Sequence, residues 1–490
     1  MNRKVRDDDI SGVTPQVVRL LGLALVALTL ILRGGMALRG LEQFSDDPDA
    51  YRALAETIAA DGVYGISREN PTAFRPPLYP WVLSWIVSDG RLTNPSVAIL
   101  HVVLAAATVW LTFRAAILIL LRDHSVVVSR HALFGGVVAA LVVLCDPILL
   151  RQSTLLMTET MAACLVAAVN WWWIRRVANR PNIFSGVVLG TLLVLAYLCR
   201  PTFLVWAAFL IVGLAMNQLR ESRRLKRGRR SDATASQSGQ RRDWAWAMAG
   251  VAAASVLACA VGAWMYRNAR VVGHPVWATT HGGYTLLLGN NPFFYDYLRS
   301  GDRGETWQAE PFLVAYSHRY DADPRTREFW ETSWPEMRLV QSEQVQREAT
   351  EHSDDQLAYE SAKAVIGRNP SMFVYSCLVR AYRLWKPFPY QTEGRGRTGV
   401  IVVGVYYCFL YLMASYGLFK LWRQPNRFRW WSTLALLLTL TSVHAVYWSN
   451  LRMRAPAIPA LALLVGSAVG LPRDRPSSPH QEADSSCGAR

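Results

Sequence analysis

Three aspartates crowd one short stretch of this 490-residue chain: Asp46, Asp47 and Asp49, just ahead of Tyr51 and an amphipathic run over residues 52–60. An aspartate before a helix accepts hydrogen bonds from the unpaired N–H groups of the first turn, so capping is one role open to them. A carboxylate at a membrane surface is also a general base, able to deprotonate a hydroxyl or an amine. Further along, Phe74-Arg75-Pro76-Pro77-Leu78-Tyr79-Pro80 presents an arginine stiffened by two prolines. Arg75 reads either as an ordinary interfacial arginine or as a bidentate clamp for an anionic headgroup.

Other ionisable residues repeat this pairing of acid and arginine. Glu159 falls within the apolar residues 154–174, about one and a half turns into the expected helix. An acid in such a place is costly and by default functional; the competing reading is an ion pair with Arg151 or Arg200. Arg200, which precedes Pro201, and the pair Arg452 and Arg454 sit at the ends of apolar stretches. His444 reads first as a packing histidine, with a site role as the alternative. Arginines at such ends need a reason, and a phosphate at the membrane surface would supply one.

Membrane spans are the elements that must position these groups. Hydrophobic residues make up 52% of the chain and charged ones 18%, which excludes a disordered polymer and argues against a soluble enzyme. Ten apolar stretches approach the length that crosses a bilayer: 17–37, 95–121, 132–150, 154–174, 183–199, 201–219, 244–266, 399–421, 430–449 and 455–471. The first is expected to be an uncleaved anchor, since no small-residue cleavage site follows it. The short apolar piece 78–87 is expected to lie along the membrane or re-enter it.

Charge orients the chain. The net charge of +16 comes from 52 Lys and Arg against 36 Asp and Glu. With residues 1–16 in the cytoplasm, the densest basic stretch, 220–243, also falls inside, as the positive-inside rule asks. That stretch has no interleaved aromatics and no folded module, so nucleic acid is not an expected partner. Alternation divides the chain into a transmembrane region over 17–266 with a first outside loop at 38–94, an extracytoplasmic segment at 267–398, C-terminal spans over 399–471 and a polar tail over 472–490. The fold expected is all-α and polytopic, with about 10–12 transmembrane helices and a mixed extracytoplasmic segment. Within that segment residues 343–368 suit a helix ended by Asn369-Pro370. The seven cysteines form no C-x-x-C pair, which leaves metal and redox roles without support.

Several fragments, in order, resemble a known family. Asp47-Pro-Asp-Ala-Tyr51, Gly62-Val-Tyr64 and Arg75-Pro-Pro-Leu-Tyr-Pro80 look like the first periplasmic loop of membrane glycosyltransferases with the GT-C fold. The likeness points to dolichyl-phosphate-mannose-protein mannosyltransferase-like proteins and lipid A aminoarabinose transferases. Leu155-Leu-Met-Thr-Glu-Thr160, Trp264-Met-Tyr-Arg-Asn268, Gly289-Asn-Asn-Pro292, Arg383-Leu-Trp-Lys-Pro387 and Arg452-Met-Arg-Ala-Pro456 continue the series over about residues 15–470.

The resemblance implies a hexosyl- or pentosyltransferase of the inner membrane. A polyprenyl-phosphate sugar would donate its sugar on the extracytoplasmic face to a glycan, lipid or protein acceptor. Asp47 matches the family's essential aspartate and is the implied base. Pro48 stands where mannosyltransferases carry a second acid, a role left to Asp46 or Asp49. Arg75, Arg452 and Arg454 are implied phosphate ligands and Glu159 a supporting acid. Tyr51, Tyr79, Arg200, Arg267, Asn268 and His444 complete the expected substrate-binding set. The aminoarabinose and protein-mannosyl branches need no obligatory metal, so no cofactor is expected, although the oligosaccharide-transferring relatives do use a divalent ion.

Three rivals stand beside this reading, one of them a catalytically idle scaffold, against which the Asp47, Arg75 and Glu159 set argues. An O-antigen polymerase or ligase would carry a long arginine-rich outside loop but not the first-loop Asp-x-x-x-Tyr. A lipid-linked-sugar flippase would need a charged path across the bilayer, whereas the ionisable residues here gather at one face.

Overall fold

The computed structural model describes residues 12–121, 128–228, 236–301, 306–334, 349–390, 396–424 and 426–471, with side chains described outside 224–243. Residues 1–11, residues 229–235 of the basic stretch 220–243 and the tail 472–490 therefore lie outside the described residues.

Helix α1 (Pro15–Arg39) starts at Thr14, whose side chain accepts the Val17 N–H, and its proline occupies the first turn, where no N–H partner is lost. A connecting segment follows, holding α2 (Tyr51–Asp61), a two-strand hairpin (Gly65–Ser67 with Asn70–Pro71) and α3 (Leu78–Ser84). Then come α4 (Asn94–Leu120), α5 (Arg130–Cys145), α6 (Pro147–Gln152), α7 (Glu159–Trp172), α8 (Ile183–Cys199), α9 (Phe203–Gly228) and α10 (Ser236–Val271).

Six stretches are long and apolar enough to cross a membrane by length and composition: Pro15–Arg39, Asn94–Leu120, Phe203–Arg223, Trp244–Val271, Arg397–Trp422 and Leu451–Gly470. The ten expected spans reduce to these six plus shorter apolar helices. The expected span 132–150 breaks at Asp146, whose carboxylate accepts from the Ile148 and Leu149 N–H groups and starts α6 as a new helix. The expected span 154–174 begins only at Glu159, because residues 153–158 are spent in turns; it then runs on through a π turn, Trp173–Val177. Glu159 is thus the first residue of α7, not one turn and a half inside it. At a helix N-terminus the aligned peptide dipoles favour a carboxylate.

Between the last two groups of spans lies a helical unit: α11 (Gly282–Gly289), α12 (Pro292–Ser300), α13 (Glu310–Ser317), α14 (Arg327–Glu331) and α15 (Glu351–Arg368). Among the described residues of this segment the elements are helices. Its capping residues favour short helices: Asn291 before Pro292, Thr326, and a Thr350/Ser353 capping box. Among the described residues, strand occurs only in the first-loop hairpin. Leu286, Phe294, Phe312, Phe329, Trp330 and Val365 give this unit its own core. Asn369 ends α15 and begins α16 (Pro370–Trp385), followed by α17 (Arg397–Trp422), α18 (Trp431–Val446), a 3-10 turn (Leu451–Ala457) and α19 (Ile458–Gly470).

The span that includes α19 is 89% buried and packs against α5 and α17, while α1 and α17 are 28% and 22% buried and show Leu20, Ile31, Val402 and Leu412 outward. Such faces suit acyl chains and not water. Close approach of α5 and α19 depends on glycine: a Cβ on Gly135 would lie 2.6 Å from the Gly466 carbonyl oxygen. Arg33 of α1 is buried and donates to the carbonyls of Val143 (2.9 Å) and Leu144 (3.2 Å), tying α1 to the end of α5.

Candidate functional site

The first connecting segment is built to hold its charged residues still. Asp47 caps α2: one carboxylate oxygen accepts the Tyr51 N–H at 2.9 Å and the other the Arg52 N–H at 2.7 Å. Burial raises its pKa above the ordinary aspartate value, against the pull of those two hydrogen bonds. Ala50, next to the helix start, has φ 58°, a left-handed conformation that a residue with a Cβ adopts at a cost. Arg52 donates to the Phe44 and Leu92 carbonyls and to the Asn94 side chain, pinning the segment to the start of α4.

Arg75 meets Asp49, not Asp47: the guanidinium lies 2.6 Å from the Asp49 carboxylate. Of the two acids beside it, Asp49 thus makes the ion pair, and Asp46 is exposed at the end of a 3-10 turn. Arg75 also sits 4.4 Å over the Phe74 ring, and its buried Nε has no hydrogen-bond partner among the described residues.

A second charge group stands beside the first. Glu159 is 1% exposed, and one of its oxygens accepts from Arg200 at 3.0 Å. Arg452 Nε lies 3.1 Å from that same oxygen, as an ion pair without a hydrogen bond's alignment. The other Glu159 oxygen is buried and has no hydrogen-bond partner among the described residues. The ion-pair reading of Glu159 therefore describes its geometry, with Arg200 as the partner. Tyr51 joins the two groups: burial raises its phenol pKa, Asp49 and Glu159 add to the rise, and Arg75 and Arg200 oppose it. Its ring meets Tyr79 edge-on at 5.1 Å, and the Tyr79 hydroxyl lies 2.7 Å from His101 Nε2.

The remaining expected residues sit elsewhere or act as supports. Arg454 is fully buried, donates to the Leu384 and Lys386 carbonyls and lies 3.8 Å over the Tyr407 ring. Two residues apart in a three-residue turn point to different faces, which separates Arg454 from Arg452. His444 is buried, with Nδ1 3.3 Å from the Trp448 carbonyl. Asn268 donates to the Val276 carbonyl at 2.8 Å. Arg267 donates to the Thr72 and Tyr64 carbonyls, at 2.6 and 3.0 Å, and so braces the first segment from α10.

Three contributors escape sequence reasoning. Glu351 accepts from the Thr72 hydroxyl (2.6 Å), the Ala73 N–H (2.7 Å) and the Thr280 hydroxyl (2.9 Å). His281 packs against Phe74 at 4.6 Å; burial and the Arg75 charge push its imidazole down to about 3, so it is neutral. His101, on α4, anchors Tyr79. Each looks ordinary in its own sequence neighbourhood, since its partner lies far away along the chain.

The arrangement joins a neutral Asp49–Arg75 pair to a carboxylate flanked by two arginines, which leaves positive charge in excess beside Tyr51. Such a centre can hold a singly or doubly charged phosphate ester and offers carboxylates for proton removal. Among the described residues no three His, Cys, Asp or Glu side chains group so as to hold a metal ion.

No family model matches the chain, and no curated protein does. Solved structures with a similar path include an oligosaccharyltransferase from Archaeoglobus fulgidus tethered to an acceptor peptide, at 13% identity and TM-score 0.47, covering 93% of this chain and 49% of that one. Another is the oligosaccharyltransferase AglB of the same organism with an inhibitory peptide and a dolichol-phosphate, at 11% identity and TM-score 0.46, covering 92% and 50%. ArnT from Cupriavidus metallidurans bound to undecaprenyl phosphate is similar at 12% identity and TM-score 0.35, covering 91% and 77%. The chain spans about half the length of the oligosaccharyltransferases it matches.

Proposed function

We propose that the protein is a multi-pass membrane glycosyltransferase of the GT-C type, moving a sugar from a polyprenyl-phosphate donor to an acceptor on the extracytoplasmic face. The observation that carries this reading is the two charge groups, Asp49–Arg75 and Glu159–Arg200–Arg452, of which Asp49, Arg75, Glu159 and Arg200 all act on the ionisation of Tyr51. The ordered sequence resemblance supports it from a separate direction.

In this reaction the acceptor O–H or N–H gives its proton to a first-loop carboxylate. The acceptor atom then forms a bond to the anomeric carbon, and the bond from that carbon to the phosphate oxygen breaks. The electron pair leaves with the polyprenyl phosphate. Arg75, Arg200 and Arg452 stabilise the leaving phosphate, which needs charge more than it needs a proton. Asp47 is the proposed base: burial raises its pKa, which suits proton removal, while the Asp49 carboxylate is engaged by the Arg75 guanidinium. Capping α2 uses one lone pair on each Asp47 oxygen and leaves others free. Glu159 holds Arg200 and Arg452 at the right distance.

The test is transfer from a polyprenyl-phosphate sugar by the purified, reconstituted protein and its Asp47→Asn variant. Loss of transfer with retained folding is expected. Full activity in that variant removes Asp47 from the reaction.

A further inference from the structure

Residues 72–75 have almost no backbone freedom. The Thr72 N–H donates to the Tyr64 carbonyl and the Thr72 carbonyl accepts from Arg267. The Ala73 N–H donates to Glu351, and the Ala73 carbonyl accepts the Thr280 N–H at 3.1 Å. The Phe74 N–H donates to the Thr72 hydroxyl at 2.8 Å, and that hydroxyl donates to Glu351. The Arg75 carbonyl accepts the Tyr64 hydroxyl at 2.6 Å. Immediately after this stretch the Arg75 side chain reaches Asp49.

Glu351 stands out in this lattice because it comes from a different unit, at the start of α15, and satisfies three donors at once. Thr72 and Ala73 are 5% and 0% exposed, so donors there would be costly to leave unpaired. The same carboxylate receives Thr280, whose neighbour His281 braces Phe74. An ionised acceptor of several charge-assisted bonds is stiffer than a neutral amide would be.

We propose that Glu351 is a positioning residue for donor binding: it fixes the 72–75 backbone so that Arg75 is held ready for the phosphate. It touches no reacting atom and acts through Arg75. The inference rests on the proposed function, since it needs Arg75 to bind a lipid phosphate.

The probe is undecaprenyl phosphate without sugar, titrated into the full-length protein in nanodiscs. Wild type, Glu351→Gln, Arg75→Gln and the double variant are compared, with thermal unfolding of each recorded. Glu351→Gln should remain folded and bind roughly ten- to a hundredfold more weakly, the scale of one charge-assisted bond lost. In the Arg75→Gln background the Glu351 substitution should have no further effect, because both act through one contact. Thr280→Val, which removes a single hydroxyl bond to Glu351 and keeps the backbone N–H bond to Ala73, should fall between wild type and Glu351→Gln. Unchanged affinity in Glu351→Gln, or additive losses in the double variant, overturns the positioning role. Failure of the wild type to bind, or binding unchanged by Arg75→Gln, overturns the proposed function instead, so the two failures are distinct.

Discussion

At Arg75 two demands meet: the guanidinium must stay in place without a ligand and must still have donors for one. Asp49 meets the first demand, and the unpaired Nε is one donor left over. Arg75→Gln should lower transfer about a hundredfold or more, the effect of removing one preorganised charge donor; steady-state kinetics on reconstituted protein checks it. Asp47 makes a separate prediction. Its pKa is raised, so transfer should fall on acidification with an apparent pKa above that of an ordinary aspartate, read from a pH–rate profile. Asp355 offers a stability test away from the chemistry. Burial raises its carboxyl from 3.8 to about 6, although it accepts the Gly283 N–H at 2.6 Å. The folded protein then binds more protons than the unfolded chain between pH 4 and 6, so stability rises as pH falls through that window. Asp355→Asn should abolish this slope and leave stability at pH 7 equal or higher, by at most about 3 kcal/mol. Thermal unfolding at pH 4.5 and 7 decides.

The helices show how much the sequence could say at the scale of elements. Thr14-Pro15 and Thr93 mark the starts of α1 and α4 through local chemistry, and Asn369-Pro370 divides α15 from α16 as expected. Local chemistry also hides things. Asp146-Pro147 inside an apolar run signals a new helix start, yet hydropathy alone joins the two sides into one span. Glu159 seems to lie within a helix because nothing in Thr154–Thr158 is polar enough to announce a turn. The contact of α5 with α19 is invisible locally, since small residues at Gly135 and Gly466 mean something only when brought face to face. Gly466→Ile should separate these helices and cost about 1–3 kcal/mol, seen as a lower unfolding temperature in detergent.

For the whole molecule, the first-loop signature was legible because Asp47 to Arg75 lies within one short stretch. The parts of the site that come from afar were not: Thr72 and Glu351 are 279 residues apart, and no local pattern pairs them. Helix content follows from composition, while the short helices α11 to α15 depend on capping residues, Asn291, Thr326 and Thr350, that hydropathy does not register. The proposed topology has its own check. In a cysteine-free background, Glu69→Cys and Ser231→Cys should react with a membrane-impermeant thiol reagent from opposite sides of the membrane. Labelling from the same side would remove the extracytoplasmic placement of the first loop.

The carboxylate of Glu351 also sets how this end of the protein opens. Because it holds Thr72, Ala73 and Thr280 together, and the Thr280 N–H bonds the Ala73 carbonyl, neither segment can loosen alone. The amide protons of Ala73 and Thr280 should therefore exchange with deuterium in step, through one shared opening, despite their separation in the chain. Glu351→Gln should speed both together and leave the amides of α19 protected.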